Sequence, residues 1–153
     1  MSRAFFETLE DALVGFLPSD LRAFSARRGG RNLKVWYDDE REHYEAQLIS
    51  PSAAGLRGSR DVLEVGFHLE HRGPARSQEV LEGLLERERE WRRELGREPR
   101  AGAFLGSGFD RWRRISEIWS GDGLVEEETA VDAADRLAVY IRVLEPLRTR
   151  TRR

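Results

Sequence analysis

Leu63-Glu64-Val65-Gly66-Phe67-His68-Leu69-Glu70 alternates without a break. Successive side chains of a strand point to opposite faces, so Leu63, Val65, Phe67 and Leu69 share one side and Glu64, Gly66, His68 and Glu70 share the other. One side suits a core and the other suits water, the pattern of an antiparallel sheet covered on a single face. Two upstream segments repeat it. Leu33-Lys34-Val35-Trp36-Tyr37 puts Leu33, Val35 and Tyr37 on one face, and His43 to Ile49 alternates as well, with Asp38-Asp39-Glu40-Arg41 as the hairpin turn between them. Downstream, Arg113 to Ser120 reads as another strand, and Ala103-Phe104-Leu105, the apolar run inside the glycine-rich segment from Ala101 to Gly108, reads as a short one.

Helical spacing surrounds these strands. Phe5, Phe6, Leu9, Leu13, Phe16 and Leu17 form one apolar stripe, with Ser2 placed to cap it. Pro18 interrupts that pattern, and Ser19 or Asp20 is placed to cap a short helix carrying Leu21 and Phe24. The paired glycines of Arg27-Arg28-Gly29-Gly30-Arg31 are expected to end helical structure in a left-handed turn. Val80, Leu81, Leu84, Leu85, Trp91 and Leu95 predict one long helix from Ser77 to about Gly96. Val131, Ala134, Leu137, Ala138, Ile141 and Leu144 line a last helix that opens at Thr129 and is expected to stop at Pro146. The fold class is therefore α+β: two layers, a mostly antiparallel sheet of about five strands with helices packed on one face. The expected organisation is one domain over residues 1–147 and a basic, disordered tail over 148–153.

Composition narrows the chemistry. The 153 residues are 39% hydrophobic and 35% charged, and they include no cysteine, which excludes disulfides, thiolate zinc sites and thiol catalysis. A net charge of −2 lacks the basic excess of a dedicated nucleic-acid module. Lys34 is the single lysine among 26 basic residues, a bias that reflects a GC-rich genome more than site selection. Glu7, Glu10 and Asp11 interrupt the apolar positions near the N-terminus, so no signal peptide is legible. No window approaches the roughly 18 apolar residues of a membrane span. A cytoplasmic location without membrane attachment is the expectation.

The first candidate site is the polar side of the sheet. Glu64, His68 and Glu70 stand in a row about 7 Å apart per step, and His43 and Glu45 form a second His-x-Glu pair on a neighbouring strand. Lys34, Trp36 and Gln47 are placed to join them. Imidazoles and carboxylates of this kind can hold a divalent transition metal. The competing reading is the solvated side of an ordinary sheet, which the sequence alone favours, so neither a metal nor a cofactor is assigned. His68 and His71 form His-x-x-His, but on a strand they face opposite ways, unlike a helical zinc motif.

The second candidate is Arg111-Trp112-Arg113-Arg114 together with the tail residues Arg148 and Arg150, where cations and aromatics mix as on a nucleic-acid surface. Tryptophans packed in the core or stacked under arginine are the alternative. Several enzyme classes drop out. Asp61 and Glu64 are not followed by the Glu-x-Lys of a restriction-type nuclease, and Gly102 to Gly108 fits neither a P-loop nor a dinucleotide fingerprint. No nucleophile elbow is present.

The aromatic strand Leu33 to Tyr37, the Glu/Arg helix Gln78 to Gly96 and Trp112-Arg113-Arg114-Ile115-Ser116 resemble, in their order, a group of uncharacterised bacterial domains sometimes found beside restriction-endonuclease-like modules. The resemblance spans about residues 31 to 147 and implies an accessory domain of a DNA-handling system, with no catalytic residues to carry over. Two functional expectations follow. The first is a non-enzymatic binding or accessory module for a protein or nucleic-acid partner, with self-association through exposed aromatics compatible with the composition. The alternative is a small metal-dependent hydrolase built on Glu64, His68, Glu70, His43 and Glu45.

Overall fold

A computed structural model describes residues 2–104 and 111–151. Its sheet has six strands, all paired antiparallel: β1 (Ser25–Arg28), β2 (Asn32–Trp36), β3 (Glu42–Ile49), β4 (Val62–Leu69), β5 (Arg100–Gly102) and β6 (Arg113–Trp119), in the order β1-β2-β3-β4-β6-β5. Four helices, α1 (Ser2–Phe16), α2 (Pro74–Leu85), α3 (Glu88–Leu95) and α4 (Glu127–Thr151), complete an α+β architecture. Among the described residues, no helix is long and apolar enough to cross a membrane.

The alternation sets the register. Val65 lies opposite Ala46 and Glu117, and Phe67 lies opposite Tyr44 and Ile115, so Leu33, Val35, Tyr44, Ala46, Val65, Phe67 and Ile115 build one buried face. Onto it pack Phe5, Phe6, Leu9 and Leu13 of α1 and Leu137, Ile141 and Leu144 of α4. Ala130, Ala133, Ala134 and Ala138 are fully buried, and their small side chains let α4 lie close to α1 as well as to β3 and β4.

Several elements depart from expectation. The Arg-Arg-Gly-Gly segment does not end a helix: Ser25–Arg28 is an edge strand, and Gly29 and Gly30 make the hairpin turn to β2, the Gly29 N–H donating to the Asn32 carbonyl. Neither glycine has the positive φ expected of it. The exposed, charged side chains of β1 suit a sheet edge, and Arg28 is held by Glu10 of α1 at 2.6 Å. The long helix is two helices. The Trp91 indole N–H donates to the Leu84 carbonyl at 2.8 Å, and the Arg87 N–H takes the same oxygen, so the chain breaks at Glu86-Arg87 and restarts. Ser77 is not a cap but a buried residue of α2, whose hydroxyl accepts the His71 N–H. Among the described residues the short strand is Arg100–Gly102, and Ala103 and Phe104 lie beyond its end. Leu105 to Gly108, Asp110 and the last two arginines lie outside the described residues.

The C-terminus is the largest correction. α4 runs through Pro146 to Thr151, and Arg148, placed in a disordered tail by sequence, is 1% exposed. Its guanidinium donates to Glu145 (2.9 and 2.7 Å), Glu42 (2.8 Å) and Asp38 (2.6 Å), while Tyr44 donates to Glu145 at 3.0 Å. Pro146 removes one helical N–H, and these ion pairs to the start of β3 hold the last turn in place regardless. Replacing Arg148 with Ala would strand Glu42 and Glu145 as buried, uncompensated carboxylates. The expected loss is about 3–5 kcal/mol in a urea denaturation series, against near-neutral behaviour for the exposed Arg150→Ala.

Candidate metal centre on the polar sheet face

The polar face holds the side chains that strand alternation assigns to it, but it is not solvated. Glu64 is 0% exposed, His43 and His68 are 1% exposed and Glu45 is 3% exposed. The expectation of a wet face is overturned: the pairing brings these groups together closely enough to exclude water from one another. His43 lies opposite His68, Glu45 opposite Gly66, and Gln47 opposite Glu64, while β6 sets Arg114 beside His68 and Ser116 beside Gly66. At the β6 end, Phe104 lies over the guanidinium groups of both Arg100 and Arg114, at 4.6 and 6.0 Å.

Gly66 makes this closeness available. A Cβ at this position would sit 2.5 Å from Ser116 Cα and Cβ and would also meet the Ile115 carbonyl. Only a residue without a side chain lets β6 approach β4 and deliver Arg114 and Ser116 to Glu64. Glu64 is thereby saturated. It accepts from Arg114 Nη1 (2.8 and 3.0 Å), Ser116 Oγ (2.6 Å) and Gln47 Nε2 (2.7 Å). Burial alone would raise its carboxyl, but the charges of His68 and Arg114 and the hydrogen bonds hold it far below the usual carboxylate range.

The other four groups are arranged differently. His43 Nδ1 donates to the Glu40 carbonyl at 2.9 Å, which fixes the tautomer. His43 Nε2 is in hydrogen-bond geometry with Glu45 Oε1 at 2.9 Å and stands 3.5 Å from Glu70 Oε2. His68 Nδ1 faces the same two oxygens at 3.1 and 3.4 Å, and its Nε2 lies 3.1 Å from Glu64 Oε2. Despite these short separations, neither His68 nitrogen has a partner in hydrogen-bond geometry. Two nitrogens and two oxygens therefore enclose one point, each nitrogen beside both oxygens. Three carboxylates on this face meet two fixed cations, Lys34 and Arg114, and a proton on His68 supplies the third positive charge in the metal-free state.

The four N···O separations of 2.9, 3.1, 3.4 and 3.5 Å have a direct chemical meaning. Donor atoms about 2.0–2.1 Å from a tetrahedral ion lie ~3.3 Å from one another. The outer groups match as well. A metal-bound histidine ordinarily donates its other N–H to a carbonyl or carboxylate, and a bound carboxylate is itself hydrogen-bonded. Here Glu40 O backs His43 and Asn32 Nδ2 donates to Glu45 Oε2 at 3.0 Å, while the Glu64 carboxylate stands 3.1 Å from His68 Nε2. Imidazole and carboxylate without sulfur suit zinc and its first-row neighbours, whereas calcium and magnesium call for more oxygens. A second grouping, Asp39, Glu42 and His71, is unlike this one, because Glu42 already accepts from Arg148 (2.8 Å) and lies 2.7 Å from His71 Nε2.

The sequence thus placed Glu64, His68, Glu70, His43 and Glu45 on one face, and the structure brings all five together. It missed the supporting shell of Arg114, Ser116, Asn32 and the Glu40 carbonyl. Period-two reading of β6 would have put Arg114 and Ser116 on the polar side. The second candidate is dispersed. Arg113 donates to Gln78 of α2 at 2.6 Å, Arg114 is buried on the opposite face, and Arg148 is locked in ion pairs. Arg111 and Arg150 are exposed, and Arg150 lines a cavity of about 330 Å³ with Arg93 and Arg142 between α3 and α4.

Without metal, the cluster makes stability depend on pH from both sides. Burial would raise Glu45 and Glu70, but His43 and His68 hold both below their ordinary value of 4.5. Their contribution is present above pH 4.5 and is lost as pH falls toward the depressed values. Burial would lower His68, but Glu64, Glu45 and Glu70 raise it well above 6.5, so its contribution is complete below pH 6.5 and declines as pH rises toward the elevated value. Thermal unfolding in the presence of a chelator should therefore give a midpoint that peaks between about pH 4.5 and 6.5. The alkaline limb should disappear in His68→Gln. Gly66→Ala should cost roughly 1–3 kcal/mol through forced separation of β4 from β6.

No family model, no curated protein and no solved structure matches this chain.

Proposed function

We propose that the protein is a metal-binding module that holds one zinc-type divalent ion at His43 Nε2, His68 Nδ1, Glu45 Oε1 and Glu70 Oε2. The observation that carries this reading is the ring of short N···O separations among these four groups, within which His68 Nδ1 has no hydrogen-bond partner. Four protein donors complete a tetrahedron and leave no position for an activated water. That is the arrangement of a structural or storage site, and catalytic zinc sites keep one position open. The reading accordingly favours binding over hydrolysis.

Titration calorimetry with zinc on the chelator-treated protein tests it. One ion per chain is expected, with proton release, and zinc at one hundred times its dissociation constant should stabilise the fold by about 2.7 kcal/mol. His43→Ala combined with His68→Ala should abolish the heat. His71→Ala, which touches Glu42 on the other side of the sheet, should retain one ion per chain. Unchanged zinc binding in the double variant, or none in the wild type, contradicts the assignment.

A further inference from the structure

Three of the four donors are closed off from solvent, but Glu70 is not: its side chain is 19% exposed, against 1–4% for His43, His68 and Glu45. Glu70 forms part of the wall of a cavity of about 370 Å³ whose other walls are Lys34, Asp38, Asp39, Glu40 and Arg41. The turn between β2 and β3 and the residue after β4 thus make a vestibule that ends on one ligand of the quartet.

Its charge selects what it can pass. The lining carries four carboxylates and two cations. Arg27 pairs with Glu40 from outside it, and Arg148, which reaches Asp38, is already shared by Glu42 and Glu145. The vestibule therefore stays net acidic and suits a cation rather than an anionic ligand. Lys34 is the cation nearest the inner end, its ammonium 3.9 Å from Glu70 Oε1 in a loose pair at a half-buried position. Glu40 also supplies the carbonyl that orients His43, so the wall of the vestibule and the support of a ligand belong to one turn.

We infer that this acidic vestibule is the loading port of the metal centre, with Glu70 as the ligand that first captures a divalent cation and passes it to Glu45, His43 and His68. This inference rests on the metal-binding reading above. It makes the site exchangeable with solvent instead of sealed at folding. Loading should proceed on the folded chain, and its rate should depend on charges that never coordinate the ion.

Stopped-flow loading of the chelator-treated full chain with cobalt(II) tests this, because visible absorption is intense for tetrahedral cobalt and weak for the hydrated ion. Asp39→Asn combined with Glu40→Gln, both at the surface and neither a ligand, should slow loading several-fold at low ionic strength. The difference from wild type should vanish near 1 M salt, where the screening length is about 3 Å. The matched control is Glu127→Gln with Glu128→Gln at the start of α4. That end of the helix lies ~30 Å from Arg148, the residue that contacts the vestibule through Asp38. These substitutions should leave the rate unchanged. If the vestibule variant loads as fast as wild type, or if the control slows equally, the port is wrong and the metal centre stands. If wild-type protein develops no cobalt absorption, the metal reading fails and the port with it.

Discussion

Burying a carboxylate or an imidazolium is costly unless every lone pair and proton finds a partner, and this protein buries such groups on both faces of one sheet. On the helical face, Glu117 accepts from Arg136 (2.8 Å), Tyr140 (2.7 Å) and Trp119 (2.9 Å). At the edge of that face, Glu42 and Glu145 converge on Arg148. On the polar face, Glu64 is surrounded by Arg114, Ser116 and Gln47. Each of these carboxylates is satisfied by donors built into the chain.

The quartet of His43, Glu45, His68 and Glu70 follows that rule only in part: Glu45 accepts from Asn32 and is bonded to His43, but neither His68 nitrogen has a hydrogen-bond partner. Its donors point at one another, and the nearby charges sum to neutrality only with a proton on His68. On the proposed reading, the missing partner at this one position is a cation. On that reading a proton on His68 serves in the metal-free state and a divalent ion would serve at the same point, so metal affinity and fold stability would rest on the same set of interactions.

The fold was legible where one physical signal dominated. Alternation in β4 is unbroken over eight residues, so its two faces and the pairing that follows were readable directly. The site was half legible, because period two assigns side chains to a face but not to depth. Glu and His usually mark the solvated side, and nothing local to β4 reports that Arg114 and Ser116 arrive from 50 residues away to bury it. The remaining misses share this cause. Pro146 is a local helix breaker overruled by ion pairs to Glu42 and Asp38, and the uninterrupted helical stripe from Ser77 is split by a Trp91 indole reaching back to Leu84. Ser25–Arg28 carries no apolar alternation, since an edge strand with both faces exposed has no core to mark it.

Extended X-ray absorption at the zinc edge of the loaded protein tests the central claim most directly. The account predicts a first shell of four nitrogen and oxygen neighbours at about 2.0–2.1 Å, with the outer-shell scattering of two imidazole rings and no sulfur. A six-coordinate oxygen shell without imidazole scattering would place the ion on surface carboxylates and contradict it.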